Sequence, residues 1–231
     1  LTINTQVLEE VISHRYLTKG ISKKNGGVFE IKPEKFVVLP GLIEPDVLQI
    51  MQQIPGIYSI NETVSNINVR GGTHDQNLFL WNGIRMFQTG HFFGMISAFN
   101  SSLAQTISIV KNGSSAFYGD SVSSVVDIST HTNNNDNVNI VSANLISGEF
   151  YSKFRTSEKA SFQISGRRSF TDFYKSVTYK NYIDRVFQNT IVTDIRNKET
   201  IDYNYDESFF FYDCTAKYQQ KIGSKHELNI D

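Results

Sequence analysis

Between residues 66 and 130, four short apolar runs are each cut off by glycine, and this punctuation limits the fold more than any other feature of the chain. Residues 67–69 end at Arg70-Gly71-Gly72 and residues 78–81 at Asn82-Gly83. Residues 106–110 stop at Lys111-Asn112-Gly113, and residues 125–128 follow Phe117-Tyr118-Gly119-Asp120. Runs this short, bounded by glycine pairs and Asn-Gly steps, read as buried strands joined by tight turns. A helix precedes them. Glu44-Pro45-Asp46 suits a first helical turn, because proline is tolerated there and acids face the positive end of the dipole. Val47, Ile50, Met51 and Ile54 then fall on one face, and Pro55-Gly56 stops the helix. Together these segments predict a compact unit of mixed sheet and short helix.

After the polar stretch 131–137 the pattern changes to strict alternation. Ala160, Phe162, Ile164 and Gly166 alternate with Ser161, Gln163, Ser165 and Arg167; Phe210, Tyr212, Cys214, Ala216 and Tyr218 alternate with Asp213, Thr215, Lys217 and Gln219. Period two means half-buried strands. Strands of about ten residues tilted by about 45° cross the hydrocarbon band of a bilayer. The runs near 159–170 and 208–222 reach that length. Shorter runs at 138–146 and 149–155 suggest a hairpin through Ser147-Gly148, and Gly223-Ser224 a second tight turn, whereas residues 171–206 form a long connection. A soluble β-sandwich shares the alternation; strand length and the contrast between short turns and a long loop favour a membrane barrel. Five strands do not close a barrel, and plugged outer-membrane transporters have about 22, so the chain is expected to be part of a longer one.

Composition closes several other routes. Lys+Arg 22 against Asp+Glu 23 leaves a net charge of −1, which gives no electrostatic footprint for nucleic acid. The single cysteine, Cys214, excludes an internal disulfide and a cysteine zinc site. No apolar run is long enough for a spanning helix, which says nothing about spanning strands. His14, His74, His91, His131 and His226 are scattered, with no pair at i, i+4. Gly71-Gly72 lacks the lysine of a phosphate loop, and no Gly-x-Ser-x-Gly elbow occurs. No acid, base or nucleophile set points to an enzyme, and no metal site or cofactor is expected.

Two loops, 73–77 and 85–99, hold the candidate binding residues. A Gly-bounded loop with this many aromatics needs a partner for them. Phe92 and Phe93 either give contact area to a ligand or pack on neighbouring protein, while His74, Asp75, Arg85, Gln88 and His91 would orient a ligand. Arg70 ends a buried strand, so its guanidinium is costly there unless a carboxylate meets it.

These residues resemble the plug domain of TonB-dependent outer-membrane receptors, in the form common among Bacteroidetes-type transporters. The resemblance rests on Ile54-Pro55-Gly56-Ile57, on Asn68-Val69-Arg70-Gly71-Gly72, and on residues 78–83, 109–119 and 125–130 in that order. Asn82 stands where the family usually has Asp, and Lys111 where it usually has Arg. The resemblance implies an α+β plug domain, a small mixed sheet with short helices, followed by antiparallel strands of an incomplete outer-membrane β-barrel. Its expected bounds are a lead-in over 1–35, the plug over 36–132 and barrel strands over 137–231. It implies a plug–barrel latch in which Arg70 pairs with a barrel glutamate, Glu149 being the best candidate, and Lys111 takes the second basic position. Leu8, Glu9, Glu10, Val11 and Ile12 resemble the TonB box, a strand that adds its edge to the energy-transducing TonB protein; an ordinary edge strand has the same pattern. The implied function is energy-driven uptake, across the bacterial outer membrane, of a scarce ligand such as an iron–siderophore chelate. The alternatives are a glycan importer of the same fold paired with a surface lipoprotein, and a soluble α/β binding or adhesion module.

Overall fold

The computed structural model describes residues 15–35, 46–61, 63–100, 103, 105–113, 115–130, 137–187, 192–194, 199–201, 209–223 and 226–231. The TonB-box candidates Leu8, Glu9, Glu10, Val11 and Ile12 lie outside them.

The N-terminal unit contains β1 (Arg15–Thr18), β2 (Ile21–Lys23), β3 (Phe29–Ile31), helix α1 (Val47–Met51), β4 (Ile57–Ser59), β5 (Ile67–Val69), β6 (Asn77–Trp81), β7 (Ile84–Met86), β8 (Gly90–His91), β9 (Ile96–Ser97), β10 (Gln105–Lys111) and β11 (Ser124–Thr130). Seven of these form one mixed sheet in the order β1-β2-β3-β10-β11-β6-β7, with β11 and β6 parallel. All four glycine-bounded runs are strands, but β5 leaves the main sheet and pairs with β4. Register explains the core. Ile107 lies between Ile31 and Ile128, and Ile109 between Phe29 and Val126, so one face of the sheet carries a continuous apolar row. Helix α1 covers that row with Val47, Leu48, Ile50 and Met51, and Ile54 follows from the turn beyond. Full burial of each such side chain stabilises by about 1.5–3 kcal/mol.

The predicted apolar positions are therefore buried together, while both ends of the helix differ: it closes at Met51, before Ile54 and Pro55-Gly56, and it also starts later. Asp46 stands outside as the N-cap, its Oδ1 accepting from the backbone N–H groups of Leu48 and Gln49 at 2.9 Å each. Burial pushes its carboxyl above the ordinary value of 3.8, against the opposing pull of those amides and of Arg167. The fold thus favours protonated Asp46. That contribution is complete below 3.8 and is lost as pH rises through the higher folded value. Asn caps as well as Asp, so Asp46→Asn keeps the helix and flattens this pH slope. Asp46→Ala costs about 1 kcal/mol at any pH. Denaturation midpoints across the acidic range check both.

At the β6–β7 turn, Asn82 (φ 49°) and Gly83 (φ 84°) both adopt left-handed backbone, the arrangement that makes Asn-Gly the favoured two-residue hairpin. Asn82 also explains its departure from the family's Asp. Its Oδ1 accepts from the Thr130 amide at 2.8 Å, while its Nδ2 donates to Asp231 at 2.8 Å. A carboxylate at this place would face another carboxylate.

The C-terminal unit is a five-stranded antiparallel sheet: β12 (Val138–Ala143), β13 (Ser147–Ser157), β14 (Ala160–Ser169), β17 (Tyr212–Ile222) and β18 (His226–Ile230), in the order β12-β13-β14-β17-β18. Helix α2 (Val177–Phe187) and a small hairpin of β15 (Val192–Asp194) and β16 (Glu199–Ile201) lie in the connection between β14 and β17. The expected turn at Ser147-Gly148 is not formed, since both residues belong to β13. The chain turns earlier, where Asn144 Oδ1 accepts from the amides of Ile146 and Ser147 at 2.8 and 2.9 Å. A side-chain-built turn of this kind supplies the bend that glycine was expected to give.

Which face is buried settles what kind of sheet this is. Ser161, Gln163, Ser165 and Arg167 are buried, as are Glu149 and Lys153, because this side faces the N-terminal unit. The apolar side is open: Val141 is 85% exposed, Phe150 45% and Ile164 37%. A soluble sandwich buries its apolar face. This sheet does the reverse, as a transmembrane barrel does.

Candidate functional site

Two features lie on the side of the N-terminal unit nearest the long β14–β17 connection. The first is an open cleft of about 520 Å³. It brings together five of the seven predicted ligand-facing residues, His74, Asp75, Arg85, Gln88 and Phe93. His74 and Asp75 come from the 3-10 turn before β6, and Arg85 from β7. Arg85 is already committed: its Nη1 is 2.7 Å from Asp120 Oδ2, and its guanidinium lies 4.8 Å from the ring centre of Phe87. The hydroxyl of Thr73 hydrogen-bonds the Asp75 carboxyl and holds it below the usual carboxylate range. Gln88 Nε2 donates to the Gly90 carbonyl at 2.7 Å, which fixes the amide at the cleft wall.

Phe92 and Phe93 divide the two roles that the sequence left open. Phe93 is 69% exposed at the cleft, whereas Phe92 is buried against Tyr179 and Ile183 of α2 and lies 4.8 Å from the Phe209 ring. The split follows from the backbone. Phe92 (φ 46°), Phe93 (φ 53°) and Gly94 (φ 82°) are consecutive left-handed residues, a tight turn that sends neighbouring side chains to different sides. Left-handed backbone at a bulky residue costs on the order of 1–3 kcal/mol, so packing on α2 must hold it. Arg185 of α2 adds a hydrogen bond to the Asn61 carbonyl at 3.1 Å.

The second feature joins the two units. His91 does not enter the cleft; its Nε2 lies 2.8 Å from Asp213 Oδ1, and its ring stacks on Phe211 at 4.4 Å. The other oxygen of Asp213 accepts from Arg167, from Nε at 3.0 Å and from Nη2 at 2.6 Å. Arg167 Nη2 also donates to the Ser97 carbonyl at 2.6 Å. One carboxylate thus holds an arginine of the strand sheet and a histidine of the N-terminal unit together, and the arginine reaches back to that unit's backbone. The Arg167 side chain is only 4% exposed, so these are strong, partly desolvated contacts.

The three residues expected to latch the units make other contacts among the described residues. Arg70 is exposed in a left-handed turn (φ 49°), so its guanidinium carries no burial cost that requires a carboxylate. Lys111 donates to the Pro55 carbonyl at 2.6 Å and lies 4.3 Å over the Phe29 ring; burial, then Arg70 and Lys23, lower its pKa. Glu149 is buried on the inner face of β13, where it accepts from the Ser142 hydroxyl at 2.5 Å and sits in register with Arg167. Neither cation meets Glu149. The residues that do join the units, Arg167 and Asp213, had one sequence signal: they are polar positions of two alternating strands. They become partners only through the β14–β17 register. His74 and His91 are likewise separated, and no cluster of metal-ligating side chains occurs among the described residues.

Residues 44–126 match the TonB-dependent Receptor Plug Domain family. No curated protein sequence matches the chain. Among solved structures, the siderophore receptor PirA from Pseudomonas aeruginosa superimposes with a TM-score of 0.54 at 15% identity, over 90% of this chain and 33% of that receptor. The ferric enterobactin receptor PfeA of the same organism, in a mutant form, aligns over 62% of this chain and 24% of its own at 18% identity, with a TM-score of 0.41. The chain spans about a third of the length of PirA, whose fold it shares across both units. Neither match speaks to the Bacteroidetes-type form. Residues 44–126 thus match the plug domain of TonB-dependent receptors, and the strands behind them share the fold of a solved receptor of that kind.

Proposed function

We propose that the chain gates energy-driven uptake of a scarce ligand across the bacterial outer membrane, and that the cleft beside Arg85 and Phe93 is where the ligand docks. The observation that carries this is the inverted sheet: a polar face laid on the plug and an apolar face left open. Such a sheet is stable only with lipid outside and a filled, polar interior. The connection between β14 and β17, with helix α2, and the ligand cleft then lie on the extracellular side, and the short connections between β13 and β14 and between β17 and β18 on the periplasmic side. PirA is a siderophore receptor, but likeness at this identity carries the fold rather than the ligand.

In this reading the Arg167–Asp213–His91 contacts are the latch between plug and wall. Ligand binding alone shifts an equilibrium by no more than its differential affinity. Work therefore has to arrive through the N-terminal segment, with Leu8, Glu9, Glu10, Val11 and Ile12 as the strand that pairs with TonB. Val11→Pro in the full-length receptor removes a backbone donor from that strand. Uptake is expected to stop while ligand binding and outer-membrane recovery stay at wild-type level. Normal uptake rejects the strand assignment, and recovery of the wild-type protein only in the soluble fraction rejects the transporter.

A further inference from the structure

We infer that helix α2 is a clasp on the plug: it holds the turn at residues 92–94 in a backbone conformation the turn would not keep alone, and so keeps His91 on Asp213. This rests on the reading of the Arg167–Asp213–His91 contacts as the latch between plug and wall.

Helix α2 belongs to the wall at its base and to the plug along one face. Just ahead of it the chain is fastened to the strand sheet. The Ser169 and Phe170 amides donate to the carbonyls of Phe211 and Ile146 at 2.9 and 3.0 Å, and the Ser169 hydroxyl accepts from the Phe211 amide at 2.8 Å. Ser176 stands immediately before the helix, its hydroxyl accepting from the Tyr179 amide at 3.2 Å, the contact of an N-cap. Tyr179, Tyr182, Ile183 and Val186 then recur at i, i+3, i+4 and i+7, and this stripe forms one apolar cluster with Phe92, Met95 and Ile96 of the plug. Lys180, Asn181 and Asp184 on the other side are exposed.

What the stripe holds is strained. Phe92 and Phe93 stand at φ 46° and 53°, a region that bulky side chains avoid. The turn closes on the latch residue itself: the Gly94 amide donates to the His91 carbonyl at 3.1 Å, and the Met95 amide to the Phe92 carbonyl at 3.0 Å. Its far side is pinned, since the Gly94 carbonyl accepts from the amides of Val64 and Ser65 at 2.8 and 3.1 Å. With that side fixed, a return of Phe92 to ordinary backbone moves His91, and the imidazole leaves the Asp213 carboxylate. Packing on α2 opposes this return. Phe92 is 7% exposed, and its ring centre lies 5.7 Å from that of Tyr179 and 4.8 Å from that of Phe209. Strain of this kind persists only where the surroundings enforce it, and here α2 does so.

Two substitutions at one position separate strain from packing. Phe92→Ala and Phe92→Gly both remove the ring that α2 holds, but glycine adopts positive φ freely and alanine does not. With the full-length receptor recovered from outer membranes and placed in planar bilayers, Phe92→Ala is expected to raise ion leak about tenfold, to the level of His91→Ala. Phe92→Gly is expected to stay closed. Ile183→Asp breaks the clasp from the helix side and is expected to leak like Phe92→Ala, yet to add nothing in a Phe92→Gly background. Should Ile183→Asp fail to reach the outer membrane, the pair at Phe92 decides. Equal leak from Phe92→Ala and Phe92→Gly, or a closed Phe92→Ala receptor, overturns the clasp. Asp213→Ala, measured alongside, tests the latch. If it leaks while Phe92→Ala does not, only the clasp is lost; if it stays closed, the latch reading is lost and the clasp with it.

Discussion

Asp213→Ala opens the plugged pore to ions and loosens the plug by about 3–5 kcal/mol, the cost of leaving a buried charge without its partner. Arg167 is the residue left stranded. Its side chain is 4% exposed, and without Asp213 the hydrogen bond left to it among the described residues is the one to the Ser97 carbonyl, with the Asp46 carboxyl as a nearby charge. His91→Ala removes one charge-assisted contact and the stacking on Phe211, a smaller loss of about 1.5–3 kcal/mol. Because both substitutions act on one carboxylate, the double variant is expected to be little worse than Asp213→Ala alone. Arg70→Ala serves as the contrast. Arg70 is exposed and meets no carboxylate among the described residues, so its loss leaves the pore closed. Conductance in planar bilayers and the plug's denaturation midpoint report these effects independently. A closed, fully stable Asp213→Ala receptor, or a leaky Arg70→Ala one, would return the latch to the place the sequence suggested.

That contrast shows where reading the sequence stops. Strand positions in the plug were legible because glycine and Asn-Gly steps act locally: Asn82-Gly83 makes its turn whatever lies around it. The apolar face of α1 was legible for the same reason, since i, i+3, i+4 spacing is a property of one helix. Partners across the units were not. Arg167 meets Asp213 only because β14 and β17 pair in one register, and a slip of β17 by one residue would turn Asp213 to the outer face and leave Arg167 on the inner one. The split between Phe92 and Phe93 was hidden too, because no sequence rule places a bulky residue at φ 46°. Nor did alternation alone say which face would be covered. Period two is symmetric, and only the position of the plug against Gln163, Ser165 and Arg167 breaks that symmetry.

Ile164→Lys prevents stable insertion of the receptor, whereas Thr215→Lys on the opposite face does not. The two positions lie close together, because Ile164 is in register with Ala216, the neighbour of Thr215. They differ in direction. Ile164 points away from the plug with Phe150, Phe154 and Phe162 along the same face, and a lysine near the bilayer midplane there costs about 2–4 kcal/mol. Thr215 points inward, beside a cavity, and its loss gives up one hydroxyl contact to Ser165 at 2.6 Å, worth about 1 kcal/mol. The native chain already obeys this rule. Lys153 and Lys217 both sit on the inward face, and Arg168 on the outward face is at the strand's end, paired with Asp172 at 2.7 Å. The yield of folded receptor in outer membranes and its denaturation midpoint separate the variants. Equal losses from both substitutions would mean that the two faces meet the same surroundings. In that case the sheet is not a wall between lipid and lumen, and the plug has no pore to close.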